Sequence, residues 1–210
     1  MLGRGVHGAA GPAPASVHGA GARGYAETVQ FEHLGARPRI HPDAVVAPTA
    51  VVSGDVTIGA GSQVLHGAVI TAEGGPVVLG EHVIVMENAV VRASAANPVH
   101  IGDHTLIGPM ASVSGATIGD EVFLATGVRV FNGARIGDRS ELRINAVVHL
   151  RTALPERSVV PIAWVAVGDP AVVLPPEAHD EIWARQQELD FPGYVFGVDR
   201  DTPDLMVQLT

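Results

Sequence analysis

Aliphatic residues recur every six positions through the middle of the chain: Ile58, Val64, Ile70; Leu79, Val85, Val91; Ile101, Ile107, Val113; Ile118, Leu124, Val130; and Ile136, Leu142, Val148. A period of six rejects the helical 3.6 and predicts short strands separated by turns, three strands to a coil of about 18 residues. After the first member of each triplet stands Gly59, Gly80, Gly102, Gly119 or Gly137, and in four triplets an acid follows: Glu81, Asp103, Asp120 and Asp138. The expected architecture is an all-β solenoid of triangular cross-section. One aliphatic per side points inward, and coils stack at the strand spacing of about 4.8 Å. The glycines are expected to supply turn conformations closed to other residues, and the acids to bond their own backbone at the corners. Longer gaps between Ile70 and Leu79 and between Val91 and Ile101 place loops at one corner of the first two coils.

The flanks read differently. Residues 1–30 are Gly- and Ala-rich and bury nothing, so a disordered extension is expected ahead of a β-helix domain over 31–174. From 175 to 210 the chain turns helical: Pro175-Pro176 precedes acids, Arg185 stands near the far end, and Ala178, Ile182 and Leu189 share one side beside Trp183. Such a helix should lie along the prism as a cap or an oligomer contact.

Composition narrows the chemistry. Apolar residues make up 47% of the chain but Trp, Tyr and Phe number only 2, 2 and 5, so a narrow interior is filled by Val, Ile, Leu and Ala. Cysteine is absent and all 13 basic residues are arginine, which excludes disulfides, thiolate chemistry, Schiff bases and a P-loop lysine. A net charge of −9 argues against nucleic acid and anionic membrane as partners. No apolar run approaches the roughly 20 residues of a membrane span, and a cytoplasmic protein is expected.

The repeat resembles the left-handed parallel β-helix of hexapeptide-repeat proteins, and over about residues 40–190 it is similar to the γ-class carbonic anhydrases. The stretches that carry the likeness are DVTIGAGSQVLHGAVITAEGGPVVLG (55–80), ENAVVRASAANPVHIGDHTLIGPMASVSGATIGD (87–120) and VAVGDPAVV (165–173). The resemblance implies a homotrimer, the left-handed hand of the coil, and a zinc ion held between subunits by histidines spaced H-x16-H-x4-H, which converts CO2 and water to bicarbonate. Placed on that motif, the spacing survives and the ligands do not: the three positions are Arg92, Pro109 and Ser114. Thr71, Glu73, Met86 and Glu87 depart from the family's surrounding residues as well. Zinc hydrolysis needs three protein ligands and an open position, so no metal and no cofactor are expected, and CO2 hydration is not.

The register suggests what stands there instead. Arg92, Ser114, Phe131 and His149 follow the third aliphatic of their coils and form one column, with Thr71 before them; His66, Glu87 and Pro109 form another. In the family these columns meet across the subunit interface, where Glu87 would approach Arg92 of a neighbour. Arg143, Asn145, His149 and Arg151 would line two edges of one late coil, a cleft suited to a small carboxylate or other anion, with His149 as a base. The bland alternative makes them solvated wall. Two functions follow: a zinc-less trimeric binding or scaffold protein, or a diverged enzyme on a small anion. The alternative from the wider hexapeptide group is a CoA-dependent acyltransferase with His149 or His66 as an interfacial base. His82 and His104 should approach each other at equivalent turns of adjacent coils.

Overall fold

The computed structural model describes residues 29–209, a three-sided parallel β-solenoid followed by a short helical segment. Most of the expected extension over 1–30 lies outside the described residues; Val29 and Gln30 belong to the first strand, Val29–Phe31, which pairs with Val51–Ser53. The first face carries eight parallel strands, ending at Val165–Val167, and is closed by an antiparallel ninth, Val172–Leu174. The second face stacks seven strands from Arg39–Ile40 to Ala153–Leu154, and the third seven from Val45–Val46 to Val159–Val160.

All fifteen periodic aliphatics are 3% exposed or less. Apart from two five-residue strands on the first face, the strands have two or three residues each, so one inward side chain per side is what a coil mainly contributes, and the core is a stack of such layers. The same layering runs one coil further in each direction, through Ile40, Val46 and Val52 before and Leu154, Val160 and Ala166 after. The loops fall at the expected corner. Five-residue strands Val69–Glu73 and Val90–Ser94 overrun the first face, and a bridge between Ser94 and Asn97 closes the second loop.

The repeated glycines act differently from the expectation. Gly59, Gly80, Gly102, Gly119 and Gly137 are not among the residues with positive φ. Left-handed backbone comes two residues later, at Gly61, His82, His104, Glu121 and Arg139, with φ of 67°, 55°, 55°, 55° and 56°. What excludes a side chain at these repeated positions is the next coil. A Cβ on Gly80, Gly102 or Gly119 would overlap Oδ1 of Asp103, Asp120 or Asp138 respectively.

The three aspartates of this series also bond across coils and not to their own backbone. Asp103 Oδ1 accepts the Glu81 N–H at 2.7 Å, Asp120 Oδ1 accepts the Asp103 N–H at 2.8 Å, and Asp138 Oδ1 accepts the Asp120 N–H at 3.0 Å. Glycine and acid are thus one device: the first leaves the space that the second fills. Buried hydroxyls do the same work one residue pair on. Ser62 Oγ accepts from Val83 N–H and donates to the Gly80 carbonyl, and Thr105 Oγ1 accepts from Val122 N–H and donates to Gly119. Among the described residues no buried side-chain polar atom lacks a partner.

After the last coil, helix α1 (His179–Glu188) seats Ile182 on Val167 and Leu174. It starts three residues later than Pro176, with Asp180 and Glu181 in its first turn and an Arg185–Glu181 pair at 2.9 Å. A single wide turn, Pro192–Phe196, and a short helix α2 (Leu205–Gln208) follow. No helix among the described residues is long and apolar enough to cross a membrane.

Candidate functional site

The first column forms as its register requires. Arg92 pairs with Thr71 on one side and Ser114 on the other along the first face. The register of Val113 with Val130 and of Val130 with Val148 carries the column on to Phe131 and His149, whose rings stack with centroids 5.4 Å apart. The second column stands at the corner where the third face turns into the first: Asn88 N–H donates to the His66 carbonyl and Met110 N–H to that of Glu87, one coil per step. Pro109 follows, its carbonyl accepting from Gly127 N–H. Arg92 is exposed and Glu87 half-buried; among the described residues neither side chain has an ion-pair or hydrogen-bond partner.

The late-coil residues divide. Arg143 and His149 are six apart and therefore sit on successive faces, and they line separate cavities. Arg143 pairs with Glu141 at 2.9 Å and borders Val159, Pro161, Ile162 and Trp164. Asn145 occupies a left-handed corner with φ of 57°, its amide oxygen packed over Gly127. Arg151 belongs to a clasp: its guanidinium donates to the Leu189 carbonyl at 3.1 Å and lies 5.0 Å over the Tyr194 ring. The Tyr194 hydroxyl in turn donates to Oδ1 of buried Asn97 at 2.8 Å, so the loop after Val90–Ser94 and the C-terminal segment are tied together.

His149 lies beneath that segment. Burial lowers its pKa from the ordinary 6.5, which keeps the imidazole neutral at pH 7. The Leu150 N–H donates to its Nδ1 at 2.9 Å. A neutral ring whose Nδ1 accepts carries its proton on Nε2, so the nitrogen left for a ligand is a donor. That tautomer does not suit the general-base role assigned to His149 from sequence. His66, the other base candidate, is exposed and shares its Nδ1 with the Thr49 hydroxyl at 2.8 Å. His82 and His104 do meet, stacked at 4.9 Å.

Three features escaped the sequence reading. Tyr194 and Asn97 are 97 residues apart and belong to no period. Arg200 lines the His149 cavity from beyond the helix. The third face and its corner expose Met110, Phe123, Ile144, Val159 and Ile162 at 55, 41, 46, 53 and 62%. Phe123, Ile144 and Ile162 line a groove of about 440 Å³ that also includes Pro109. Its signal was present, since the outward-facing strand positions Phe123 and Val159 break the polar-out alternation and the turn positions Ile144 and Ile162 extend the apolar surface.

Comparison with known proteins places this geometry. No family model matches the chain. It is similar to γ carbonic anhydrase 1, mitochondrial, of Arabidopsis thaliana, 31% identical over 128 residues that make up 58% of this chain and 46% of that protein. The chain thus spans about half the length of the curated relative it matches. In structure it is similar to a provisionally assigned acetyltransferase of Bacillus cereus, with a TM-score of 0.54 and 22% identity over 80% of this chain and 96% of the other. A UDP-N-acetylglucosamine O-acyltransferase of Moraxella catarrhalis matches with a TM-score of 0.53 and 19% identity over 81% and 85%. Identities this low speak for the fold and not for acyl transfer. In coil architecture the chain is a parallel β-solenoid like these structures, and over 58% of its length it is similar in sequence to a γ carbonic anhydrase.

Proposed function

We propose that this chain is a homotrimeric, zinc-less relative of the γ carbonic anhydrases that binds a small anion at the subunit interface and does not hydrate CO2. The observation that carries the reading is the donor set at the three metal positions. Arg92 and Ser114 are neighbours in register on adjacent strands and Pro109 stands on the corner column, and the three positions offer a guanidinium, a hydroxyl and a pyrrolidine ring. A guanidinium is always protonated and proline has no side-chain donor atom, so this set does not fit zinc. No step through a metal is derived.

Two further observations support the reading. The exposed apolar face around Phe123, Val159 and Ile162 is the kind of surface that closed symmetry covers. Pro109 borders that face, which brings the second column to it. A partner's surface packed there would set Glu87 near Arg92 of the neighbour, and the two unpaired side chains would complete each other. A guanidinium has five N–H donors, so with Glu87 engaging one edge of Arg92 the remaining donors and the Ser114 hydroxyl suit a small carboxylate or bicarbonate-like anion, bound in the cytoplasm, the compartment expected from the sequence.

Light scattering should report a trimer, and stopped-flow CO2 hydration a rate equal to buffer. A hydration rate above buffer would refute the reading. A saturable thermal shift with acetyl-CoA that His149→Ala abolishes would transfer the assignment to acyl transfer.

A further inference from the structure

Beneath the C-terminal segment the first face is roofed without being filled. A cavity of about 570 Å³ lies between Phe131 and His149 on the floor and Trp183, Phe191 and Leu205 above, within the size range of small-molecule sites. The space is a cleft partly open to solvent, and Trp183 and Phe191 remain 54 and 38% exposed at its edge. The roof is held from the sides: Tyr194 is bonded to Asn97, and Arg151 holds the Leu189 carbonyl and the Tyr194 ring. The space is therefore a built feature of the fold.

Its chemistry is specific. Among the described lining residues Arg200 is the one fully charged side chain, and no carboxylate lines the cavity although the chain carries a net charge of −9. Arg200 forms one long, partly exposed ion pair, its Nε 4.0 Å from Asp190 Oδ1, a separation beyond hydrogen-bond distance that leaves its N–H groups unbonded by that carboxylate. A guanidinium has five N–H donors, so donors remain for a ligand. His149, with Nδ1 engaged by the Leu150 N–H, has Nε2–H to offer, and Gln186 and Gln187 add amides. Flat apolar walls and a small set of donors dictate the complement.

We infer that this cavity is a binding site for a small monocarboxylate with a flat apolar body, the ring lying among Phe131, Trp183 and Phe191 and the carboxylate meeting Arg200 and His149. The site is separate from the Arg92–Ser114 positions, and a single chain supplies its lining.

The test titrates the full chain with sodium phenylacetate and with phenylacetamide, its uncharged isostere, by calorimetry and tryptophan fluorescence. The chain has two tryptophans, and Trp164 lines a different cavity, so the signal is assigned by its loss in Trp183→Phe. Phenylacetate should saturate with a Kd of about 1 mM or tighter and bind about tenfold more tightly than the amide. Arg200→Ala, an exterior change checked by an unaltered melting curve, should erase that preference and leave amide binding in place. Failure of phenylacetate to saturate, equal affinity for acid and amide, or a preference that survives Arg200→Ala would each overturn the inference.

Discussion

One column of the first face has two environments. At Arg92 and Ser114 it is open, polar and without partners among the described residues; two coils on, at Phe131 and His149, it is roofed by aromatic side chains and a clasped segment. The backbone is the same in both, strand paired on strand in one register. The difference teaches that the coil stack fixes where a side chain stands but leaves its chemistry to what is laid over the face. A repeat of this kind can carry different side-chain sets about 10 Å apart along its axis, because neither set disturbs the inward layer.

The largest expected effect breaks what the two regions share. Gly119→Ala would drive a Cβ into Asp138 Oδ1 and the adjoining backbone, and should cost about 1–3 kcal/mol in chemical denaturation. Pairing it with Asp138→Ala should recover part of that loss, because the carboxylate is the nearest obstacle. An innocuous Gly119→Ala would return the glycine to a turn-conformation role.

A smaller effect separates the regions. Tyr194→Phe removes the bond to Asn97 and should cost about 1 kcal/mol. Amide exchange should quicken in α1 and in the turn after it while the coils around Ile107 keep their protection. Equal loosening of both would show that the roof and the stack unfold as one unit.

The smallest effect reads the environment of His149. Its folded pKa lies below the 6.5 of an unfolded histidine, so the unfolded chain binds more protons in that window. Stability from this residue is therefore full above pH 6.5 and declines as pH falls through that value toward the folded pKa. Replacing it by His149→Phe should flatten the melting-temperature decline below pH 6.5 relative to the parent chain. An unchanged slope would mean that the ring is solvated.

Much of the stack was legible because its cause is local and repeated. Every one of the fifteen periodic aliphatics is buried, and both side-chain columns fall in register. The first and last layers were harder to see, since His41 follows Ile40 and Pro155 follows Leu154 where the inner coils carry glycine. The role of that glycine was misread because φ is a property of one residue, whereas the constraint is a collision with the next coil. The late-coil cleft was drawn too wide. Residues 143 and 149 share a repeat position but sit on successive faces, and Arg151 is spent on holding Leu189 and Tyr194. Contacts between an aperiodic tail and the stack have no sequence signal to find.

Metal content tests the central claim most directly. Elemental analysis of the full chain, purified without chelator and then equilibrated with zinc and desalted, should find zinc far below one ion per chain, and Arg92→His with Pro109→His and Ser114→His should raise it. One zinc per chain in the unaltered protein would contradict the account.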